Sequence, residues 1–129
     1  MDRRKALIRE YKENPPPAGI FRITNTANGK ILIGKGVNVQ GKINSNLTHL
    51  QPTDHRNKAL QEDWNRYGPE AFTFEVLDYL EEDAAHPERQ SEELSALEEL
   101  WLDKLQPYGE KGYNRKSKKR KLLGAPASL

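Results

Sequence analysis

Glu98 is the charged residue whose position most needs explaining. Leu94, Leu97, Trp101 and Leu105 recur at helical spacing within residues 91–105. At about 100° per residue, Glu98 falls roughly 55° from the centre of that apolar face, whereas Glu92, Glu93 and Glu99 point farther toward water. A carboxylate at the margin of a buried face needs a partner, because burying it unpaired is costly. On position alone, a lysine or a backbone amide would serve. Basic residues form a second chemical signal. From Ala18 to Arg66 there are seven (Arg22, Lys30, Lys35, Lys42, Arg56, Lys58 and Arg66) against three acidic ones, and Arg115–Lys121 adds six more. Without that last run, 15 basic residues remain against 19 acidic, a balance of −4. Glu75–Glu99 holds ten acidic residues and a single basic one, Arg89. One side of the molecule is therefore suited to phosphates and another is not.

The elements that must position these side chains follow from periodicity. Residues 19–25 and 30–34 read as two strands, and Asn28-Gly29 between them is a strong turn signal because both residues tolerate positive φ. Residues 72–79 read as a third strand with Phe72, Phe74 and Val76 on one side. Residues 55–67 read as a helix capped by Asp54, with Leu60, Trp64 and Tyr67 on one face and Gly68-Pro69 at its end. Residues 91–105 read as the clearest helix, with Ser91 as its cap and Pro107 as its stop. Residues 37–51 stay ambiguous: Ile43, Leu47 and Leu50 keep helical spacing, while Gly41 and three asparagines weaken it. Residues 3–13 suggest a short amphipathic helix ended by Pro15-Pro16-Pro17, and residues 81–90 suggest an acidic loop. The expected fold class is mixed α/β (α+β): a small three-stranded antiparallel sheet built on the N-terminal hairpin and flanked by helices.

Composition bounds the rest. The 129 residues suit one domain, divided here into an N-terminal helix and Pro linker (1–17), a central domain (18–114) and a basic tail (115–129) expected to be disordered. With 35% hydrophobic and 31% charged residues, a modest core and a heavily charged surface are expected. The absence of cysteine excludes disulfides, thiolate metal sites and a cysteine nucleophile. No signal-peptide-like or membrane-spanning apolar run is present, so a cytoplasmic protein with no membrane partner is expected. Nothing in the chain sets its oligomeric state.

Taken in order, several motifs resemble the GIY-YIG nuclease superfamily. They are Gly19-Ile20-Phe21, the Asn28-Gly29-Lys30 turn, Leu32-Ile33-Gly34, His55, Tyr67-Gly68, the Phe72–Leu77 strand, Glu98-Glu-Leu-Trp101 and Gly112-Tyr113-Asn114. The resemblance covers about residues 18 to 114, and its strength lies in the order and spacing of motifs that are individually weak. It implies divalent-metal-assisted hydrolysis of a phosphodiester, with DNA or another nucleic acid as partner. Glu98 would hold Mg²⁺ or Mn²⁺, His55 and Asn114 would assist, and Lys42 stands near the position of the family's phosphate-stabilising arginine. Asn46 falls where some members have another histidine. Arg22, Lys35, Lys42, Arg56 and Lys58 are the expected phosphate contacts.

The departures from the family pattern are chemical. Phe21 and Leu32 replace the two tyrosines that name it, and neither has a hydroxyl to relay a proton. Losing a general base costs about 10²–10⁴-fold in rate, and a lysine offers a point charge where an arginine offers a fork. Three functions follow as expectations: a nucleic-acid-binding protein with weak or absent nuclease activity, a metal-dependent endonuclease with a rearranged site, or a protein-interaction module on the same scaffold. Each residue also has a plainer role open to it. Phe21 and Leu32 suit strand packing, His55 backbone contacts at a helix start, Gly34 an unusual strand end and Asn114 a turn cap. The lysines suit solvated charge.

Overall fold

The computed structural model describes residues 16–81 and 86–115. The expected helix at 3–13, part of the acidic loop and the tail beyond Arg115 lie outside the described residues. Three strands form one antiparallel sheet: β1 (Gly19–Asn25), β2 (Ile31–Gly36) and β3 (Phe72–Tyr79), in the order β2-β1-β3. The central position of β1 suits its sequence, since Ile20, Phe21 and Ile23 are all buried and serve both faces of the sheet. The register runs Phe21↔Gly34 and Ile23↔Leu32 on one side. On the other side it slips between Ile20 and Phe21, so that β3 carries an extra residue there, a bulge beside the first motif.

The hairpin turn is longer than the Asn-Gly signal suggested. Only Gly29 takes positive φ (81°). Asn28 contributes through its side chain instead, accepting from the Lys30 N–H at 2.9 Å and donating to Asp63 Oδ2 at 3.2 Å.

Helix α1 (Val39–Leu50) resolves the ambiguity over residues 37–51. Asn38 caps it by accepting from the Gly41 N–H at 2.9 Å. Gly41, the residue that weakened the expectation, is what makes room for that cap: a Cβ there would stand 2.7 Å from Asn38 Nδ2. Helix α2 (Lys58–Tyr67) starts later than expected and is capped by Asn57, whose Oδ1 accepts from Leu60 N–H at 3.1 Å. Asp54 is therefore not the cap; it is exposed, 3.8 Å from His49 Nδ1. Leu60, Gln61 and Trp64 are its buried face, and Tyr67 is 39% exposed. Helix α3 (Gln90–Leu105) is entered through the tight turn Pro87–Arg89, so Ser91 lies inside its first turn and does not cap it.

The sheet separates two cores. Phe21, Ile23 and Phe72 pack with α1 and α2 through Val39, Ile43, Leu50, Leu60 and Trp64. Trp64 meets Phe72 at 5.3 Å between ring centroids, a favourable tilted geometry. On the opposite face, Ile20 and Ile33 pack with Leu94 of α3, and Leu97, Trp101 and Leu105 join them as the helical face foretold. Phe74 and Val76 join Phe72 on the α1–α2 side, as the strand pattern required. After α3 the chain returns along β2: Ile31 bridges Gly112 in parallel, and Asn114 exchanges two 2.8 Å hydrogen bonds with the Ile33 backbone.

Candidate nucleic-acid interface

A cleft of about 670 Å³ opens between β2, α1 and the 54–57 loop. Its lining brings together Phe21, Leu32, Gly34, Lys42, Asn46 and His55, residues that the sequence reading drew from four separate segments. The sheet explains the meeting. Phe21, Leu32 and Gly34 share the face that α1 covers, and α1 delivers Lys42 and Asn46 one turn apart. Phe21 is 2% exposed and is fitted against Gly34, where a Cβ would overlap Cζ and Cε1 of its ring. Gly34 is thus required by the close approach of a ring.

His55 is tightly held. Its Nδ1 accepts from the Asn57 N–H at 2.9 Å, so the ring proton belongs on Nε2, which stands 2.7 Å from Asn46 Oδ1. The amide of Asn46 is oriented in turn by donating to the Lys42 carbonyl at 2.8 Å. Burial lowers the His55 pKa below its ordinary value, and the nearby His49 and Arg56 charges act in the same direction. A neutral ring with both nitrogens engaged is a positioned donor, and it offers no lone pair at Nε2 for taking a proton from water. Since the unfolded chain binds the His55 proton more readily, stability should fall as pH drops from 6.5 through the lower folded pKa. The urea midpoint difference between wild type and His55→Gln is accordingly expected to shrink from pH 7 to pH 5. A difference independent of pH would contradict this account of the ring.

Among the described residues, three cations line the cleft, Lys42, Arg56 and Arg115, with Asp54 as the acidic group among its lining residues. The other expected phosphate contacts lie elsewhere. Arg22 pairs with Glu75 on the face that α3 covers. Lys35 donates to Ser95 Oγ at 2.8 Å on that same face, and Lys58 is exposed at the first turn of α2, outside the cleft lining. Asn114 also lies outside the lining, holding the β2 backbone. Arg115 belongs to the basic 115–121 run that the sequence also offered to phosphates, and it is the residue of that run within the described residues. Sequence reasoning missed Asn57, whose spacing three residues before Leu60 is a helix-start signal.

Glu98 is likewise absent from the cleft lining. Lys35 Nζ stands 3.7 Å from Glu98 Oε1, which realises the lysine partner that its helical position called for. Among the described residues no group of three or more His, Cys, Asp or Glu side chains converges. Mg²⁺ demands near-ideal octahedral oxygen geometry. One carboxylate already facing an ammonium does not fit such an ion unless Lys35 moves away. Tyr108 lies close by, and burial followed by the Glu99 and Glu98 charges raises its hydroxyl pKa.

Beyond the site, Tyr113 closes a buried polar network. Its hydroxyl donates to Asp63 Oδ2 at 2.6 Å and accepts from Asn25 Nδ2 at 3.1 Å. Burial and the Asp63 bond push its pKa up to about 12. This network holds β1, α2 and the closing segment together, and the cleft-lining Asn57 joins it by donating to the Tyr113 carbonyl at 2.8 Å.

No family model matches this chain, and no curated protein matches it. Two solved structures share its fold. The catalytic domain of the homing endonuclease I-TevI aligns at 22% identity and a TM-score of 0.63, covering 78% of this chain and 99% of that domain. A point-mutant form of the same domain aligns at 21% identity and a TM-score of 0.62, covering 76% and 92%. At this identity the likeness establishes the fold, and function must be argued from the site. Among the described residues, no helix is long and apolar enough to cross a membrane.

Proposed function

We propose that this chain, with the GIY-YIG-like fold of an endonuclease catalytic domain, binds nucleic acid through the Lys42–Arg56–Arg115 wall of the cleft without hydrolysing it. The observation that carries the reading is the chemistry of the cleft. Its wall is cationic, while its floor offers Phe21 and Leu32 at the positions where proton-relaying hydroxyls would be needed. His55 does not replace them, because its Nε2–H is donated to Asn46. Phosphate binding needs only the charges, and releases counterions irrespective of sequence. The affinity for DNA should therefore fall steeply as salt rises, and a salt-independent affinity would defeat the proposal.

The likeness to an endonuclease domain favours a second reading, metal-dependent cleavage through Glu98. Plasmid nicking in Mg²⁺ or Mn²⁺, measured beside Glu98→Ala, separates the two. Cleavage by the wild type that the variant loses would establish the enzyme; equal cleavage by both would identify a contaminant. The Lys35–Glu98 pair supports a sharper expectation. Lys35→Met should raise Mn²⁺ affinity at least about tenfold by removing a like charge at the carboxylate. Isothermal titration reads this directly, and Lys35→Met/Glu98→Gln should cancel the gain. If Lys35→Met leaves Mn²⁺ binding unaltered, the ammonium is not what holds the ion off.

A further inference from the structure

The floor and the wall of the cleft ask for different parts of one ligand. The apolar lining is half-buried Leu32 and the Gly34 backbone, with the nearly buried Phe21 ring beneath them, whereas Lys42, Arg56 and Arg115 carry positive charge beside the acidic lining residue Asp54. A base-paired duplex presents phosphates on a convex surface and keeps its bases stacked inside. It would meet the cations and leave the apolar floor uncovered. An unpaired nucleotide satisfies both, with its base laid on Leu32 and its flanking phosphates on the wall. The cleft volume of about 670 Å³ is in the range of sites that enclose a small ligand group (roughly 300–1,000 Å³).

The hydrogen-bonding groups within the cleft indicate how such a base would be read. Both ends of the Asn46 amide are engaged, by His55 and by the Lys42 carbonyl. Both ends of the Asn57 amide are engaged too, by Leu60 N–H and the Tyr113 carbonyl. The two side chains best suited to reading a base edge are therefore committed to the fold. Apolar contact with a base face discriminates little between bases.

We propose that the cleft takes an unpaired nucleotide of a single strand, its base on Leu32 and its phosphates on Lys42, Arg56 and Arg115, with little preference among bases. The proposal rests on the nucleic-acid reading above and adds the strand state of the ligand. Fluorescence polarisation on the full chain tests it, using single-stranded DNA, single-stranded RNA and a blunt DNA duplex, each of about 12 nucleotides or base pairs, within the usual span of single-strand sites. At matched salt, single strands are expected to bind at least about tenfold tighter than the duplex, with oligo-dT and oligo-dA within about threefold of each other.

Leu32→Glu should erase the single-strand preference. Leu32 also packs against the core, so Ser45→Trp serves as a second variant: Ser45 is exposed on α1 and lines the cleft, where an indole would occupy the space meant for the base. Equal or tighter duplex binding by the wild type would overturn the single-strand proposal and leave the nucleic-acid reading standing. Failure to bind any of the three probes would overturn both. A preference that survives in both folded variants would remove the base from the floor.

Discussion

Replacing Lys42, Arg56 and Arg115 together with alanine should lower single-strand affinity by about 100-fold at roughly 0.1 M salt. Each phosphate contact contributes about 0.7 to the slope of log affinity against log salt, so three contacts contribute about 2.1, or about two decades at that concentration. The slope itself should fall by the same amount, which distinguishes lost phosphate contacts from misfolding. All three side chains line the cleft, and Lys42 and Arg56 are exposed, so their removal should cost little stability. Lys58→Ala and Arg22→Ala are the informative controls. Lys58 lies outside the cleft lining and Arg22 is engaged by Glu75, so each should change affinity less than about twofold, well short of one full phosphate contact. A triple variant that binds as the wild type does would remove the cleft from consideration altogether.

The second large effect is on stability. Tyr113→Phe should destabilise the fold by about 2–3 kcal/mol, because a fully buried Asn25 amide loses its acceptor and Asp63 loses a donor in one step. Tyr79→Phe, at a position 56% exposed, should change stability by less than about 0.5 kcal/mol. Denaturant unfolding of the two variants beside wild type measures the contrast, and equal midpoints would mean the network contributes nothing net. The same hydroxyl fixes an alkaline limit. Its folded pKa lies above its unfolded one, so its contribution is complete below pH 10 and is lost as pH rises from 10.0 through about 12. That loss should be missing in Tyr113→Phe.

The parts of the fold that could be read from sequence were those governed by short-range periodicity. The two hairpin strands, the Phe72–Tyr79 strand and the Leu94–Leu97–Trp101–Leu105 face all emerged where expected, because alternation and helical spacing report directly on burial. Helix starts fared worse. Asp54 and Ser91 looked like caps, yet Asn57 caps α2 and no side chain caps α3. A cap depends on where the preceding loop leaves the chain, and the His55–Asn57 hydrogen bond settles that point. The site was legible only in part. Phe21, Leu32, Lys42, Asn46 and His55 do meet in one cleft. The partners that decide their chemistry come from distant segments, with Lys35 against Glu98 across β2 and α3, and Tyr113 reaching back to Asn25. No local pattern encodes such pairs.

The Asn114 amide has a consequence for how copies of this chain behave together. Strand β2 is an edge of the sheet, and an open edge is a template for pairing with another molecule. At Ile33 both the N–H and the carbonyl are already taken by one side chain imitating a strand, and Ile31 is bridged by Gly112. The closing segment thus acts as a guard against edge-to-edge self-association at high concentration. Asn114→Ala would bare the Ile33 backbone at this edge and leave the Ile31 contacts with Gly112 and the Tyr113 N–H as its remaining cover.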